Sequence, residues 1–330
     1  MTTGMRALVY SAYGPAAEVL SLKTVPIPST MPGCVLVKVA AASLNAADKL
    51  LVTGTPFAVR FATGGILRPR PDTILGSDYA GIVHAVGDGV TSFRVGDHVY
   101  GQSDFTTGVG AFAEYISVPV AGAIALKPSH WSFQQAAAAP MAAQTALQGL
   151  REGLGVQPGQ HILINGASGG VGTFAVQLGK ALDAHVTAVC SARNADVARQ
   201  LGADVVIDYA AENFTTSATT YDGILDLVGN HSIGDFRKSL HPRGTYVSAG
   251  GDPATFTSRA TCILFSKIYA SQSLKLCMSA PSQKLLEDIN ALMQGLEPFI
   301  EKVYSLDQGV DAIDYFEKHS AMGKIVLSME

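Results

Sequence analysis

The sequence predicts an α/β chain with a β-rich, partly closed barrel in its first half and a doubly wound parallel sheet in its second half. Three observations lead to this fold class. Short β-branched runs separated by Gly and Pro clusters fill residues 5–117, strand and helix patterns alternate from residue 156 onwards, and a glycine-rich turn lies at 166–172. The 330 residues, 48% of them apolar, suffice for about two domains with packed cores.

The first half carries the strand signals of a barrel, with one interruption. Its predicted strands are 6–10, 34–39, 81–86 and 113–117. Residues 57–72 contain Gly64, Gly65 and three arginines, and this composition predicts a long loop or a short helix.

Residues 132–150 are rich in Ala and Gln, which predicts a helix. Pro140 should kink or divide it, because proline removes a helical hydrogen bond. We place the hinge between the two domains in this segment.

The second half alternates strands and helices as a parallel sheet requires. The predicted strands are 161–165, 185–189, 204–208, 223–228, 244–249 and a sixth at 274–278, with helices that include 196–201 and 232–240. The chain then ends with helix 282–294, strand 299–305, helix 308–318 and strand 324–328.

The glycine turn between strand 161–165 and the following helix is the strongest functional signal. A dinucleotide site needs a tight turn, close backbone approach to a pyrophosphate and a helix that points its free N–H groups at that anion. Gly166, Gly169 and Gly172 meet these needs, although the spacing departs from G-x-G-x-x-G. The residues expected to face the phosphates are Ser168, Gly169, Gly170 and Val171.

A second interpretation of the same turn belongs to another class of enzyme. Gly166-x-Ser168-x-Gly170 also matches the nucleophile elbow of serine hydrolases, for which Asp226 and His241 follow in the required order. The additional glycines of the turn serve a pyrophosphate better, and we prefer the dinucleotide.

The end of the second strand of this sheet predicts NADPH rather than NADH. An acidic residue there binds the ribose of NAD, whereas a basic one accommodates the 2′-phosphate of NADP. This strand continues into Ser191 and Arg193 without an acid, and Lys180 ends the preceding helix. A hydroxyl and two cations there favour a phosphate.

Composition excludes several other roles. The net charge is −4 without a basic stripe, so nucleic acid is not an expected partner. We find neither a signal peptide nor an apolar run long enough for a membrane helix. The four cysteines form no CxxC pair, which is typical of the reducing cytoplasm and gives no thiolate zinc site.

Several ordered motifs together resemble the medium-chain dehydrogenase/reductase superfamily, and most of all its zinc-independent quinone oxidoreductase (zeta-crystallin-like) branch. Besides the glycine turn they are AASLNAAD at 41–48, GSDYAGIV at 76–83, VGDHVYG at 95–101, AAPMAAQTA at 138–146 and GKIVL at 323–327.

The resemblance implies a GroES-like catalytic domain at 1–126 and a Rossmann NADPH-binding domain at 127–270. Residues 271–330 would add the last Rossmann strand and return to the catalytic domain. It also implies a homodimer joined through the sixth Rossmann strand. Thr145 would contact the nicotinamide side, and the backbone at Val228, Ala249 and Gly250 would line the cofactor.

The positions that hold catalytic zinc in related alcohol dehydrogenases match Asn45, Ser77 and about Met141 here. An amide, a hydroxyl and a thioether do not make a normal zinc site, so we expect no metal. Without a Lewis acid, nothing stabilises the alkoxide that forms when a simple alcohol is oxidised. Quinones and α,β-unsaturated carbonyls accept hydride directly from NADPH.

The sequence therefore predicts an NADPH-dependent, zinc-independent reductase of quinones or α,β-unsaturated carbonyls. Asn45 is the candidate catalytic residue, where its amide would donate to substrate or position the ribose; it could instead satisfy loop backbone. Two alternatives stay open. One is an enoyl-thioester or alkenal reductase, for which the arginines Arg60, Arg68 and Arg70 could bind a coenzyme A phosphate. The other is a catalytically quiet NADPH-binding protein.

Overall fold

The computed structural model describes residues 4–62, 65–104, 108–251, 253–269, 271–319 and 321–329, so Gly64 of the predicted loop lies outside the described residues. The chain divides into two compact units. The first comprises Met1–Met141, Pro281–Asn290 and Glu297–Glu330, and the second comprises Ala142–Ala280 and Ala291–Leu296. In the part of the chain that the structure describes, no helix combines the length and apolar character needed to cross a membrane.

The first unit begins with strands and short helices. They are β1 (Gly4–Tyr10), α1 (Ala16–Val19), β2 (Leu20–Pro26), β3 (Cys34–Ser43), α2 (Ala46–Thr53), α3 (Val59–Ala62), β4 (Thr73–Ile74), β5 (Asp78–Val86), β6 (His98–Gln102), β7 (Tyr115–Pro119), β8 (Ala123–Leu126) and α4 (Phe133–Ala138).

The helix predicted at 132–150 is divided at proline, as expected. It ends at Ala138, and α5 (Pro140–Gln148) begins at the proline itself, which tolerates the first helical position because no N–H is needed there. The chain continues from α5 through π-helical turns over Gly149–Leu154.

The second unit contains the parallel sheet. Its further elements are β9 (His161–Asn165), α6 (Gly170–Ala181), β10 (His185–Cys190), α7 (Ala195–Gln200), β11 (Val205–Asp208), β12 (Tyr221–Asp226), α8 (Ile233–Lys238), β13 (Leu240–Ser248), α9 (Pro253–Tyr269) and β14 (Ser273–Leu276). The strand order β11-β10-β9-β12-β13-β14, with parallel neighbours throughout, is that of a doubly wound Rossmann sheet. The fully buried apolar residues Ile162, Leu163 and Ile164 explain why β9 lies in the middle.

The chain then returns to the first unit and completes its larger sheet. The returning elements are α10 (Gln283–Leu292), β15 (Ile300–Ser305), α11 (Gly309–Lys318) and β16 (Lys324–Ser328). The order is β15-β16-β3-β5-β6-β8, β7 pairs with β3, and a smaller sheet has the order β2-β1-β4. Val35, Val37 and Val39 of β3 lie in the buried core, as the alternation of a strand requires.

Several predicted bounds differ from the structure, and for two strands the contacts give a reason. The strand expected at 113–117 lies at Tyr115–Pro119, because Ala113 makes an isolated bridge to Ala7 instead. The strand expected to end at residue 228 stops at Asp226, whose carboxylate accepts the backbone N–H groups of Val228 and Gly229. Helix α9 was not predicted.

Candidate active site

The glycine turn lies between β9 and α6, at the carboxyl end of the parallel strand. Gly166 has φ +88°, a conformation that glycine adopts without strain. A Cβ on Gly172 would lie 2.2 Å from the Gly166 carbonyl oxygen, so only glycine lets the helix pack this closely on the turn. Gly166 therefore suits the tight turn, and Gly172 allows the close packing of helix on turn.

The first turn of α6 leaves backbone N–H groups without helical partners. The helix begins at Gly170 with Gly169 as its N-cap, and the first N–H groups of any helix lack partners within it. A Cβ on Gly169 would meet no atom closer than 3.6 Å, so this glycine leaves open space beside those N–H groups. Open space together with a helix N-terminus fits a dinucleotide pyrophosphate.

A side-chain hydrogen bond joins the glycine turn to the end of the neighbouring strand β10. The Asn194 amide donates to Ser168 Oγ over 2.9 Å, and Asn194 itself is buried. Sequence analysis missed Asn194; its place directly after Arg193 was the only signal. Because Ser168 accepts this bond, its own hydroxyl hydrogen can be donated elsewhere.

Ser191 and Arg193 lie where the sequence predicts them, in the turn that follows β10. Ser191 precedes a single turn of 3₁₀ helix, Ala192–Asn194, in which Arg193 is exposed. Asp208 pairs in register with Cys190 from the neighbouring strand, and its carboxylate accepts the backbone N–H of Ala210. The turn after β10 therefore presents a hydroxyl and a guanidinium.

Lys180 does not join this group. It lies in the last turn of α6, and its ammonium contacts both Asp204 carboxylate oxygens at 2.9 and 2.8 Å and the Ala184 carbonyl oxygen at 3.0 Å. These partners precede β10 and β11, at the amino edge of the sheet, whereas the glycine turn is at the carboxyl edge. The Lys180 ammonium therefore lies at the opposite edge of the sheet from the glycine turn.

A buried carboxylate shapes the loop after β12. Asp226 Oδ1 accepts the backbone N–H groups of Val228 and Gly229 at 3.1 and 2.9 Å and the Asn165 amide at 2.9 Å. The Tyr246 hydroxyl donates to Asp226 Oδ2 over 2.7 Å, and burial, followed by the charge of Asp226, raises the pKa of that phenol. Val228 thus reaches the glycine turn, where a Cβ on Gly166 would lie 2.7 Å from its Cγ2.

The loop after β13 is held by Arg259 of α9. Its guanidinium donates to Ser248 Oγ at 3.1 Å and to the Gly250 carbonyl at 2.7 Å. The Ala249 N–H donates to the Asp226 carbonyl over 2.9 Å. The predicted cofactor-lining residues Val228, Ala249 and Gly250 therefore lie together at the carboxyl edge of β12 and β13, and Thr145 is buried on α5.

The serine hydrolase interpretation is wrong. Ser168 Oγ is hydrogen bonded to Asn194, and the Asp226 carboxylate is committed to its own loop. His241 is exposed at the start of β13, with its Nδ1 near Thr220 Oγ1 at 3.1 Å. The start of a parallel strand lies at the opposite edge of the sheet from Ser168, so no triad can form.

In the first unit, Asn45 belongs to a buried polar cluster that also contains Asp78 and Lys324. The Asn45 Nδ2 donates to Asp78 Oδ2 at 3.0 Å and to the Ser43 carbonyl at 3.4 Å. Its Oδ1 accepts from the Lys324 ammonium over 2.6 Å. The amide is therefore engaged on all sides, which favours a positioning role for Asn45 over donation to a substrate.

Asp78 connects this cluster to the start of α5 and to β16. It accepts the backbone N–H of Met141 at 3.1 and 3.3 Å, at the start of α5, and lies 3.7 Å from the Lys324 ammonium of β16. The exposed fractions of Lys324 and Asp78 are 3% and 0%. Burial raises the pKa of the Asp78 carboxyl and lowers the pKa of the Lys324 ammonium.

Asp48 lies beside the same cluster at the start of α2. Its Oδ2 accepts the Asn45 backbone N–H over 2.7 Å. Burial raises the pKa of Asp48 to about 7, and the charge of Asp78 adds to the shift. Folding therefore favours the protonated form of this carboxyl.

The described residues do not fit a zinc ion. Within them, no three His, Cys, Asp or Glu side chains are grouped so as to hold a metal. Asn45 and the Met141 N–H both contact Asp78, so two of the positions that correspond to zinc ligands lie close together. Their side chains are an amide and a thioether. The cation next to the Asn45 amide is the Lys324 ammonium.

The arginines at 57–72 take a structural part where the contacts are known. Arg60 Nε donates to the Gly54 carbonyl at 3.0 Å, and its guanidinium lies 4.7 Å from the centre of the Tyr13 ring. These contacts tie Arg60 of α3 to Gly54 and Tyr13 within the first unit.

Comparison with known proteins agrees with this architecture. Residues 31–128 match the alcohol dehydrogenase GroES-like domain, and residues 201–327 match the zinc-binding dehydrogenase family. The chloroplast envelope quinone oxidoreductase homolog of Arabidopsis thaliana is 32% identical over 98% of each chain. The NADPH-dependent alkenal/one oxidoreductase of the same plant is 31% identical over 98% of this chain and 79% of that protein.

A solved structure is similar over the whole chain. The quinone oxidoreductase from Coxiella burnetii superposes with a TM-score of 0.85 and 29% identity, covering 99% of this chain and 100% of that one. From these relatives and from the site described above we conclude that the chain belongs to the medium-chain dehydrogenase/reductase superfamily, in its quinone oxidoreductase branch, and is an oxidoreductase with a nicotinamide coenzyme.

Proposed function

We propose that this protein is an NADPH-dependent, zinc-independent reductase of quinones or α,β-unsaturated carbonyl compounds. The observation that carries the proposal is the link between the glycine turn and the turn after β10, made by the hydrogen bond from Asn194 to Ser168. It joins the start of α6, which would bind phosphate, to the turn that carries the exposed Arg193, and β10 ends without an acidic residue.

Each part of the coenzyme has residues that would hold it. Ser168, Gly169, Gly170 and Val171 would bind the pyrophosphate through N–H groups and a hydroxyl. Ser191 and Arg193 would bind the 2′-phosphate, because a guanidinium forms paired, charge-assisted hydrogen bonds with phosphate oxygens. Thr145 would contact the nicotinamide side, and the backbone at Val228, Ala249 and Gly250 would line the coenzyme, as the resemblance implies.

The chemistry follows from the donor set of the first unit. Bound NADPH supplies the hydride. With an amide, an ammonium and carboxyl groups in place of metal ligands, the chain offers hydrogen bonds and charge rather than a Lewis acid, which suits acceptors that are already electron-poor. We assign Asn45 to positioning, since Asp78 and Lys324 hold both ends of its amide.

The test is NADPH oxidation by the purified chain against a panel of quinones, enones, enals and acyl thioesters, repeated with NADH. We expect turnover with quinones or enones and a kcat/KM for NADPH at least tenfold above that for NADH. A preference for NADH would refute the coenzyme assignment. Turnover confined to acyl thioesters would favour the enoyl-thioester reductase, and coenzyme binding without any turnover would favour the catalytically quiet protein.

Two further predictions accompany the function. We propose a homodimer, because β14 ends the order of the parallel sheet and an edge strand offers unpaired backbone groups to a second copy. Sedimentation velocity would test it, with a monomer at micromolar concentration as the contrary result. A cytoplasmic location stays a prediction from the sequence, and the two plant relatives differ in being named as chloroplast proteins.

A further inference from the structure

Asn194 does not cap the helix that it precedes. It is the residue before α7, a position at which an asparagine side chain usually accepts a backbone N–H of the first helical turn. Its side chain makes no such bond, and the amide instead donates to Ser168 Oγ over 2.9 Å, 26 positions earlier in the chain. The buried Asn194 amide therefore serves the glycine turn rather than its own helix.

The segment from Val189 to Asn194 is held to the glycine turn at both of its ends. At the start, the Val189 carbonyl accepts the N–H groups of Gly166 and Ala167 at 3.1 and 3.0 Å. At the end, the Asn194 amide makes its bond to Ser168. All of these residues belong to the second unit. Removal of the Asn194 amide would therefore release one end of the segment and leave the other end attached.

Ser191 and Arg193, the residues proposed to bind the 2′-phosphate, lie within this segment. The Asn194 N–H donates to the Ser191 carbonyl over 2.9 Å and closes the single 3₁₀ turn that carries Arg193. Since Arg193 is exposed, the placement of its backbone sets the region that its guanidinium can reach. The bond from Asn194 to Ser168 therefore relates the position of this guanidinium to that of the glycine turn.

We propose that Asn194 is a positioning residue that determines the preference for NADPH over NADH. The inference rests on the coenzyme site proposed above. The Asn194 amide holds the turn of Arg193 at the spacing at which one coenzyme molecule places its pyrophosphate on the glycine turn and its 2′-phosphate on the guanidinium. NADH lacks the 2′-phosphate, so this spacing matters for NADPH alone.

The ratio of two dissociation constants isolates this effect. Ser168 faces the pyrophosphate in the proposed site, and both coenzymes carry a pyrophosphate. A change in the Ser168 hydroxyl itself therefore alters the Kd of NADPH and the Kd of NADH by the same factor. A change in the placement of Arg193 alters only the Kd of NADPH, and it appears in the ratio of the Kd of NADH to the Kd of NADPH.

The experiment measures both Kd values by fluorescence titration for the wild type, Asn194→Ala, Arg193→Ala and the double variant. We expect the Kd ratio to fall about fivefold in Asn194→Ala, the size of the net contribution of one hydrogen bond. Arg193→Ala should then raise the Kd of NADPH by only about twofold in the Asn194→Ala background, against about tenfold in the wild type. A merely structural role of Asn194 would leave the effect of Arg193→Ala at its full size.

Ser168→Ala removes the same hydrogen bond from its other partner and should lower the Kd ratio by the same factor. It tests the inference also in the case that Asn194→Ala does not fold.

Asn213→Ala is the matched control. Asn213 likewise precedes a single 3₁₀ turn of the second unit, and its Oδ1 accepts the Thr215 N–H over 3.0 Å. This variant loses a local hydrogen bond and should lower the melting temperature, but it should keep the wild-type Kd ratio.

A wild-type Kd ratio in Asn194→Ala or in Ser168→Ala would overturn the inference and leave the coenzyme assignment standing. An undiminished effect of Arg193→Ala in the Asn194→Ala background would overturn it as well. A wild-type chain that binds NADH more tightly than NADPH would instead refute the coenzyme assignment, and the inference with it.

Discussion

The buried Asp48 carboxyl should make the free energy of unfolding depend on pH in a way that one substitution removes. Burial raises its pKa from 3.8 to about 7. A carboxyl whose pKa is raised by folding gives stability that is fully present below the unfolded pKa and is lost as the pH rises through the folded one. At about 1.4 kcal/mol per pKa unit, this loss is on the order of 4 kcal/mol between pH 4 and pH 8.

Asp48→Asn replaces the ionisable group by a neutral amide that can still accept the Asn45 N–H. The variant should gain stability relative to the wild type as the pH rises. From the two pKa values, the difference in unfolding free energy should grow by about 2–3 kcal/mol between pH 5 and pH 7.5. Urea unfolding of both proteins at the two pH values measures it.

Asp204→Asn provides a control with a carboxyl whose pKa is lowered in the folded chain, whereas that of Asp48 is raised. Although burial opposes the shift, hydrogen bonds from Lys180 and from the Val186 N–H lower the pKa of Asp204. Its stabilising effect is lost only as the pH falls through that lowered value, so its difference from the wild type should stay constant between pH 5 and pH 7.5. An Asp48→Asn difference that is equally constant would refute the reasoning about burial.

Three further substitutions test the coenzyme site and the charge cluster. Arg193→Ala should raise the Kd of NADPH roughly tenfold, equivalent to about 1.4 kcal/mol, and leave the Kd of NADH unchanged. Lys180→Ala is the control and should change neither Kd. Equal effects of Arg193→Ala on both coenzymes would contradict the 2′-phosphate assignment. Gly172→Ala places a methyl 2.2 Å from the Gly166 carbonyl oxygen. Calorimetry should show a stability loss of about 1–3 kcal/mol, together with weaker NADPH binding. Wild-type NADPH binding would contradict the packing argument. Lys324→Met leaves a buried carboxylate without its cation and should cost about 3–5 kcal/mol in urea unfolding, whereas a loss below 1 kcal/mol would show that the ion pair is not needed.

Sequence patterns predict the frame of the fold because its signals are local. The strand at His161–Asn165 is a continuous apolar run bounded by a glycine turn, and the observed bounds match. The division at Pro140 follows from proline chemistry alone. Helix α9 was not predicted because Pro253–Tyr269 lacks a clear helical spacing of apolar residues. A run of apolar residues without that spacing does not distinguish a helix from other buried structure.

The site was harder to predict because its contacts join distant residues. Lys324 bonds to Asn45 across 279 positions, so no local pattern shows that the amide is already engaged. The bond from Asn165 to Asp226 likewise spans 61 positions, so no local pattern shows that this carboxylate is engaged. The prediction for Lys180 relied on its closeness to the glycine turn along the chain. That closeness does not tell which edge of the sheet the end of the helix reaches.

The central claim is hydride transfer from NADPH without a metal. It is tested most directly by incubating the chelator-treated, metal-analysed protein with NADPH deuterated at the nicotinamide C4 position and an enone, and locating the label by mass spectrometry and NMR. We predict one deuterium at the β-carbon of the reduced product, at an undiminished rate, in protein without stoichiometric metal. A product without the label, or activity that disappears with the metal and returns with zinc, would contradict the account.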